Sequence, residues 1–382
     1  MSKLKLRTKV TELSQKMRLT GECIGRLQSI DHSETENEEI IRRYKAYRYA
    51  KNLMLIVVLF LAMIVLAVDV GMGPYKLDFV TVYQLIFERL GDWDQIMSTD
   101  MKIIWNLRLP RVVAALLAGT GLAMAGAAMQ SMMKNPLADP YTTGISSGAA
   151  LGATLAMTMG ISLIPGNYGV VINAFVFALI PAAFIILIST FRKPSPATII
   201  LSGIALMYIF NAVQSYLMLV SDPNAASSVY SWTVGSLNGI GWEKIPFLFV
   251  VSLFGGIALM CMAKILNTMN SGDAYSKSIG ININRARMIV LTVVSLMAAG
   301  IVSFTGIIGF IGLVGPHIAR MFVGSDNKVL IPAAALMGAC IMMVSDCIVQ
   351  SVMPSLPIGI ITSILGGPVF MLLILRQKKE IW

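Results

Sequence analysis

The sequence predicts an all-α polytopic membrane protein with about ten transmembrane helices. Of its 382 residues, 56% are hydrophobic and 13% charged, where soluble domains carry about 25% charged residues. Mean hydropathy is +0.74. Apolar runs of span length recur along the chain, bounded by charges, prolines or glycines.

The first run, 52–71, follows a long polar segment and starts too late for a secretory signal, so it is expected to remain as a span. The second, 107–133, holds Val112–Met133 without a charge, about 22 residues at 1.5 Å rise, enough for a hydrocarbon core of about 30 Å. Within it Ala115, Gly119, Ala123 and Ala127 recur every four residues, which predicts a face of small side chains packed closely against another helix. The prolines of Lys134-Asn-Pro-Leu-Ala-Asp-Pro140 then stop it. Further spans are expected at 142–161, 168–190, 197–220, 245–265, 286–304, 307–323, 329–350 and 357–376. Glycines 300, 306, 309, 312 and 315 interrupt the pattern over 286–323, and Pro316 is expected to end or kink a short helix there.

An even number of spans places both termini on one side. With the termini inside, seventeen Lys and Arg flank the inner ends against six outside, so the positive-inside rule predicts cytoplasmic termini. The net charge of +10 is spread over these short segments and implies topology rather than a nucleic-acid surface. Residues 1–51 are read as a cytosolic tail and 52–382 as the membrane domain. Within the tail, Leu6, Val10, Leu13, Met17, Ile24 and Leu27 suggest a weak amphipathic helix, Glu34–Glu39 a solvated run, and Arg42–Lys51 a stretch suited to the inner interface. Cys23, Cys261, Cys340 and Cys347 form no CxxC pair and are read as small buried residues, with no metal site or disulfide framework.

Five motifs, LRLPR before an Ala/Gly-rich helix, NPLADP followed by GISSGAALGA, SGDAYSKSIGI, GFIGLVGPHIAR and LPIGIITSILGGPVF, stand in an order and spacing that resembles the FecCD family of ABC-importer permeases. Those permeases import iron-siderophore complexes, haem and vitamin B12, and the resemblance runs from about residue 52 to 376. It implies a type II importer permease fold with a second permease subunit, homodimeric or related, two copies of an ABC ATPase, and a solute-binding protein outside a bacterial or archaeal cell membrane. It implies no cofactor. Nothing in the chain supplies ATP chemistry: there is no G-x-x-x-x-G-K-[ST] loop, and Gly119-Thr-Gly121 lies inside an apolar helix. The chain is therefore expected not to be an enzyme.

Carried over by resemblance, Arg108 and Arg111 match arginines that meet acidic residues of the binding protein. Guanidinium forks suit carboxylates, and interfacial anchoring is the alternative reading. A third docking arginine of the family is replaced here by Gln350. Asn135 and Leu137 match one half of a cytoplasmic gate, and Pro196 and Ala197 the other, where relatives carry small hydroxyl residues; these turns otherwise simply end helices. Gly272, Asp273, Ala274, Ser276, Lys277 and Gly280 match a coupling helix that fits the ATPase, begun by an acid, where the family usually has Glu, and stopped by glycine. Asn211 and Gln214 are read as pathway-lining or as interhelical hydrogen-bonding residues. His317, with Arg320 one turn later, is read as structural or interfacial. Asp346, an ionisable residue in an apolar run, is expected to satisfy a polar partner near an outer helix end.

Ferric siderophore is the expected cargo, with vitamin B12 or haem as alternatives. An ion-coupled secondary transporter would need ionisable groups at midplane, which the spans lack. An intramembrane hydrolase would need a nucleophile with its base or a metal cluster, and the two histidines, His32 and His317, supply neither.

Overall fold

The computed structural model describes residues 34–92, 96–166, 168–191 and 195–376. The amphipathic pattern over Leu6–Leu27, Cys23 and His32 lie outside the described residues. Helix α1, Glu34–Gly71, runs without a break from the polar segment into the first span, because no proline or glycine interrupts it before Gly71. Its apolar side chains, among them Ile56, Phe60 and Met63, are more than half exposed, as a lipid-facing helix requires. An unforeseen amphipathic helix, α2 (Phe79–Gly91), follows, with Asp78 capping its start through the Val80 N–H.

The long central span is built from α3 (Thr99–Ile103), a π turn at Ile104–Arg108 and α4 (Leu109–Met133), starting eight residues earlier than the apolar pattern indicated. Pro110 follows the π turn directly, and the widened turn accommodates its ring and missing N–H inside a continuous helix. This span is the axis of the bundle. Next come a 3-10 turn at Pro140–Thr143, α5 (Ile145–Met159), α6 (Gly169–Phe191), α7 (Pro196–Val220) and α8 (Pro223–Thr233). The chain continues with α9 (Ile245–Cys261), α10 (Ala263–Asn270), α11 (Asp273–Ser278), α12 (Ile283–Thr305), α13 (Ile311–Val323), α14 (Asn327–Val352) and α15 (Ile358–Arg376).

Among the described residues six helices are long and apolar enough to cross a membrane; α9 and α10 form a pair bent by 55°, and α5, α13 and α15 are shorter apolar helices. These account for the ten apolar runs, but 245–265 is bent where the sequence suggested one straight span, and 142–161 and 307–323 are short helices entered through turns. Pro316 lies inside α13 and does not end it.

Packing around α4 follows from its small residues. Ala115, Ala123 and Ala127 are fully buried, and Gly119 meets Gly338 of α14: a Cβ on Gly119 would stand 2.5 Å from the Gly338 carbonyl oxygen. One on Gly126 would fall 1.8 Å from the carbonyl oxygen of Gly312 in α13. Backbones approach to contact here, and the predicted small-residue face is the seam that draws α13 and α14 onto α4. By contrast, α7 buries only 11% of its apolar window against the rest of the chain.

Candidate functional site: two polar clusters at opposite ends of the central helix

At the Arg111 end of α4, the two arginines of LRLPR are already committed. Arg108, on the π turn, is 3% exposed and donates to the carbonyl oxygens of Val70, Gly71 and Tyr75, the bond to Gly71 measuring 2.9 Å. It closes the end of α1, whose last carbonyls have no helical partner. Burial and three backbone acceptors engage the Arg108 guanidinium within the chain, and its docking role is carried by the resemblance alone.

Arg111 grips Asp346 of α14 with Nε at 2.9 and 3.0 Å from the two oxygens and Nη2 at 2.6 Å from Oδ1, and its Nη1 reaches Asn238. The Arg111 side chain is 13% exposed and that of Asp346 0%, so within the chain this is an internal ion pair, and the docking role of Arg111 is likewise carried by the resemblance alone. Asp346 does find the polar partner expected of it.

Gln350 donates through Nε2 to Asp346 at 2.7 Å and to Asp69 at 3.2 Å, and the Cys347 thiol lies 3.3 Å from Asp69. Asp69 is fully buried, and among the described residues its Oδ2 has no hydrogen-bond partner. Sequence reasoning missed Asp69, although an acid in the last turn of an apolar span was signal enough. The glutamine at 350 fits this setting because its amide can serve two carboxylates at once. Both acids lie near helix ends, two residues from the end of α1 and six from the end of α14, not at the midplane position that ion coupling uses.

At the opposite end, α4 stops at Lys134, which takes the left-handed conformation (φ 52°). The Asn135 side chain accepts from the Leu137 N–H at 2.9 Å and its carbonyl from the Ala138 N–H, an Asx turn stiffened by Pro136. Leu137 is 46% exposed. Asp139, buried, accepts from the Tyr141 N–H at 2.7 Å to start the 3-10 turn; burial pushes its pKa up to about 6, against that hydrogen bond. The same turn packs on α7 at Gly203, where a Cβ would stand 2.6 Å from the Thr142 carbonyl oxygen. Helix α7 begins with Ser195 capping Thr198 and with Pro196 and Ala197 in its first turn. Of the two gate segments named from the sequence, Asn135–Leu137 lies in the loop that leads into this 3-10 turn and Pro196–Ala197 opens the helix on which the turn packs.

Helix α11, Asp273–Ser278, has the bounds its sequence indicates, with Gly272 at φ 120° before it and Gly280 at φ 82° after it. Ser276 is fully buried and donates to the carbonyl oxygens of Gly272 and Thr268, at 2.8 and 3.0 Å. Ala274, Tyr275, Lys277 and Gly280 are exposed. Asp273 is held between Lys134 Nζ at 2.8 Å and Arg287 Nη2 at 2.9 Å. Burial acts to raise its pKa, but the hydrogen bonds and charges of Lys134 and Arg287 outweigh that and hold the carboxyl below its usual range. Lys134 and Arg287 were counted from the sequence only as inner-flank cations.

The remaining candidates lie apart from these clusters. Asn211 is exposed and Gln214 half-buried on α7, and among the described residues neither makes a side-chain hydrogen bond. His317 packs edge-on to Phe370 with ring centroids 6.3 Å apart, a structural role. Of the cysteines, Cys340 is buried and Cys347 partly so, but Cys261 is exposed, because its face of α9 is not covered by the chain. Among the described residues no cluster of His, Cys, Asp and Glu has metal-binding geometry.

Known proteins share this architecture over nearly its full length. The hemin transport permease HmuU of Yersinia pestis is 35% identical over 87% of this chain and 98% of its own length. The Fe(3+)-citrate import permease YfmE of Bacillus subtilis is 35% identical over 86% and 96%. Others, at 35% and 31% identity, are named for cobalamin and molybdate import. A solved inward-facing ABC transporter, described as of metal-chelate type, superposes with a TM-score of 0.75 at 30% identity, covering 85% of this chain and all of that one. The FecCD transport family model matches residues 57–376. With its ten apolar segments gathered round one small-residue helix and its motifs at both ends of that helix, the chain belongs to the FecCD family and is an ABC-importer permease.

Proposed function

We propose that the protein is the membrane subunit of an importer for an iron chelate, a ferric siderophore in particular, working with two copies of an ABC ATPase on the cytoplasmic side, a second permease and an external binding protein. The observation that carries this reading is α11. A six-residue helix is fixed to the bundle by the buried Ser276 and by Asp273, while Ala274, Tyr275, Lys277 and Gly280 face solvent. A rigid, two-turn projection with mixed apolar and cationic side chains is suited to a cleft on another protein and serves no need of the bundle itself.

The exposure of α7 supports a second permease. Tyr208, Asn211 and Ser215 lie exposed on a helix otherwise apolar enough to span, and polar side chains facing hydrocarbon are costly. A paired subunit across a polar pathway removes that cost and gives Asn211 and Gln214 a pathway-lining role. Asn135–Leu137 and Pro196–Ala197, short and proline-stiffened at the same end as α11, form the cytoplasmic gate. The Lys and Arg distribution supports cytoplasmic termini, with 1–51 leading into the permease domain. Iron is favoured because two relatives at 35% identity are named for iron compounds, hemin and ferric citrate, against one named for cobalamin.

The test is uptake in iron-depleted cells, comparing a deletion strain with wild type for labelled ferric siderophores, haem and cobalamin in parallel. Selective loss of a ferric siderophore is expected. Loss of cobalamin or haem uptake alone would overturn the cargo and leave the importer, and unchanged uptake of every chelate in a strain without related importers would overturn both.

A further inference from the structure

The geometry points to Lys134 as the positioning residue through which movement of α11 reaches the gate turn. This deepens the coupling and gate assignments proposed above and rests on them. Lys134 immediately precedes Asn135, the first gate residue, and its ammonium stands 2.8 Å from Asp273, the first residue of α11. The other oxygen of the same carboxylate binds Arg287 in the first turns of α12. A single carboxylate thus joins the projecting helix, the end of the central span and the next span.

A second polar route runs beside it. Ser131, in the last turn of α4, donates to Asn327 at 2.8 Å; the Asn327 backbone and side-chain N–H groups donate to Asn267 of α10 at 2.7 and 2.9 Å; and Asn267 donates to Asp326 at 2.6 Å. Ser131 and Asn327 are fully buried. A hydrogen-bonded chain anchored on two buried residues resists change and serves as a fixed pivot. The Lys134–Asp273 pair differs: its side chains are 31% and 42% exposed, so water can replace either partner and the pair can open and re-form at modest cost.

The backbone conformation of Lys134 leaves it a lower-energy alternative. It occupies the left-handed region at φ 52°, which residues other than glycine and, to a lesser extent, asparagine and aspartate disfavour. A lysine stands there, and that backbone turns its side chain to Asp273. When α11 is displaced by the ATPase, the pair is stretched or broken. Lys134 then relaxes toward the right-handed helical region, α4 extends by a residue, and Asn135–Leu137 swings with it. The pair therefore transmits the motion directly to the turn, in addition to what the chain between α10 and α12 carries.

The experiment uses the full transporter with its ATPase in sealed vesicles, and a Leu137→Cys substitution labelled by a membrane-impermeant maleimide, with and without ATP and vanadate. Labelling of the protein lacking that substitution is subtracted, since Cys261 is exposed. Lys134→Asn removes the ammonium but tolerates the same backbone, so folding is retained; Lys134→Arg keeps the charge. In the parent, ATP is expected to change the labelling rate at position 137. Lys134→Arg keeps that response, and Lys134→Asn reduces it about fivefold, the worth of one partly exposed charge-assisted hydrogen bond, while ATP hydrolysis continues. A Lys134→Asn protein that responds as the parent does would overturn the link, as would one that loses its ATPase subunits, since Lys134 would then act by docking. A parent that shows no response to ATP at position 137 would instead overturn the gate and coupling assignments on which the link rests.

Discussion

Arg111 offers the sharpest test of the internal ion pair at its end of the bundle. If its work is to neutralise Asp346, then Arg111→Met leaves two buried carboxylates, Asp346 and Asp69, with only the amide of Gln350 and the thiol of Cys347 as near partners. Removing one member of a buried pair costs about 3–5 kcal/mol, chiefly the desolvation of the charge left behind. An unfolding entropy of about 2.1 cal/mol/K per residue gives about 0.8 kcal/mol/K for a chain of this length, so the expected loss is about 4–6 °C in melting temperature. A membrane protein that keeps its helices on unfolding has a smaller entropy, which makes that figure a floor. The assay is thermal unfolding in detergent, followed by reaction of the buried Cys340 thiol with a fluorogenic maleimide. Arg111→Met combined with Asp346→Asn should regain most of the loss, because the second change removes the stranded charge. A single variant melting within about 1 °C of wild type, or a double variant no better than the single, would refute the pairing as a structural element and return Arg111 to the docking surface.

Other expectations follow from the same geometry. Gly126→Val should prevent accumulation of folded protein, since even a Cβ would stand 1.8 Å from the Gly312 carbonyl oxygen and overpacking of this kind costs about 1–3 kcal/mol or more; solubilised yield and size-exclusion profile report it. Asp139 has its pKa raised from 3.8 to about 6 by burial, so its contribution is present at low pH and is lost as pH rises through about 6. Stability should fall by on the order of 1.5 kcal/mol between pH 5 and 7.5, and Asp139→Asn should flatten that slope in a melting series. Replacing Asp273 and Lys277 together by alanine should abolish uptake while the protein still melts cooperatively; normal uptake by that variant would rule out coupling through α11.

What could be read from the sequence divides along a physical line. Helices and their small-residue seam were legible because membrane insertion and close helix contact write themselves into composition and period: Ala115, Gly119, Ala123 and Ala127 point to a neighbour, though not to which one, and the neighbour is α14. The bounds of α11 were legible too, since Asp273 and two glycines mark a short helix locally. The bend between α9 and α10 was not, because it falls at Cys261–Ala263, where no proline or glycine stands to announce it. Nor were the partners of the charged groups. LRLPR looks the same whether its arginines face a binding protein or the end of α1, and only the fold brings Asp69 and Asp346, which are 277 positions apart in the chain, to a single glutamine. The same holds at the other end, where Lys134, Asp273 and Arg287 come from three separate segments and meet at one carboxylate. Each cluster joins elements that the chain separates, so each is a property of the packing round α4. With one end of α4 closed by a buried ion pair and the other tied to a projecting helix by an exposed one, the end free to change its contacts cheaply is the one beside the proposed gate.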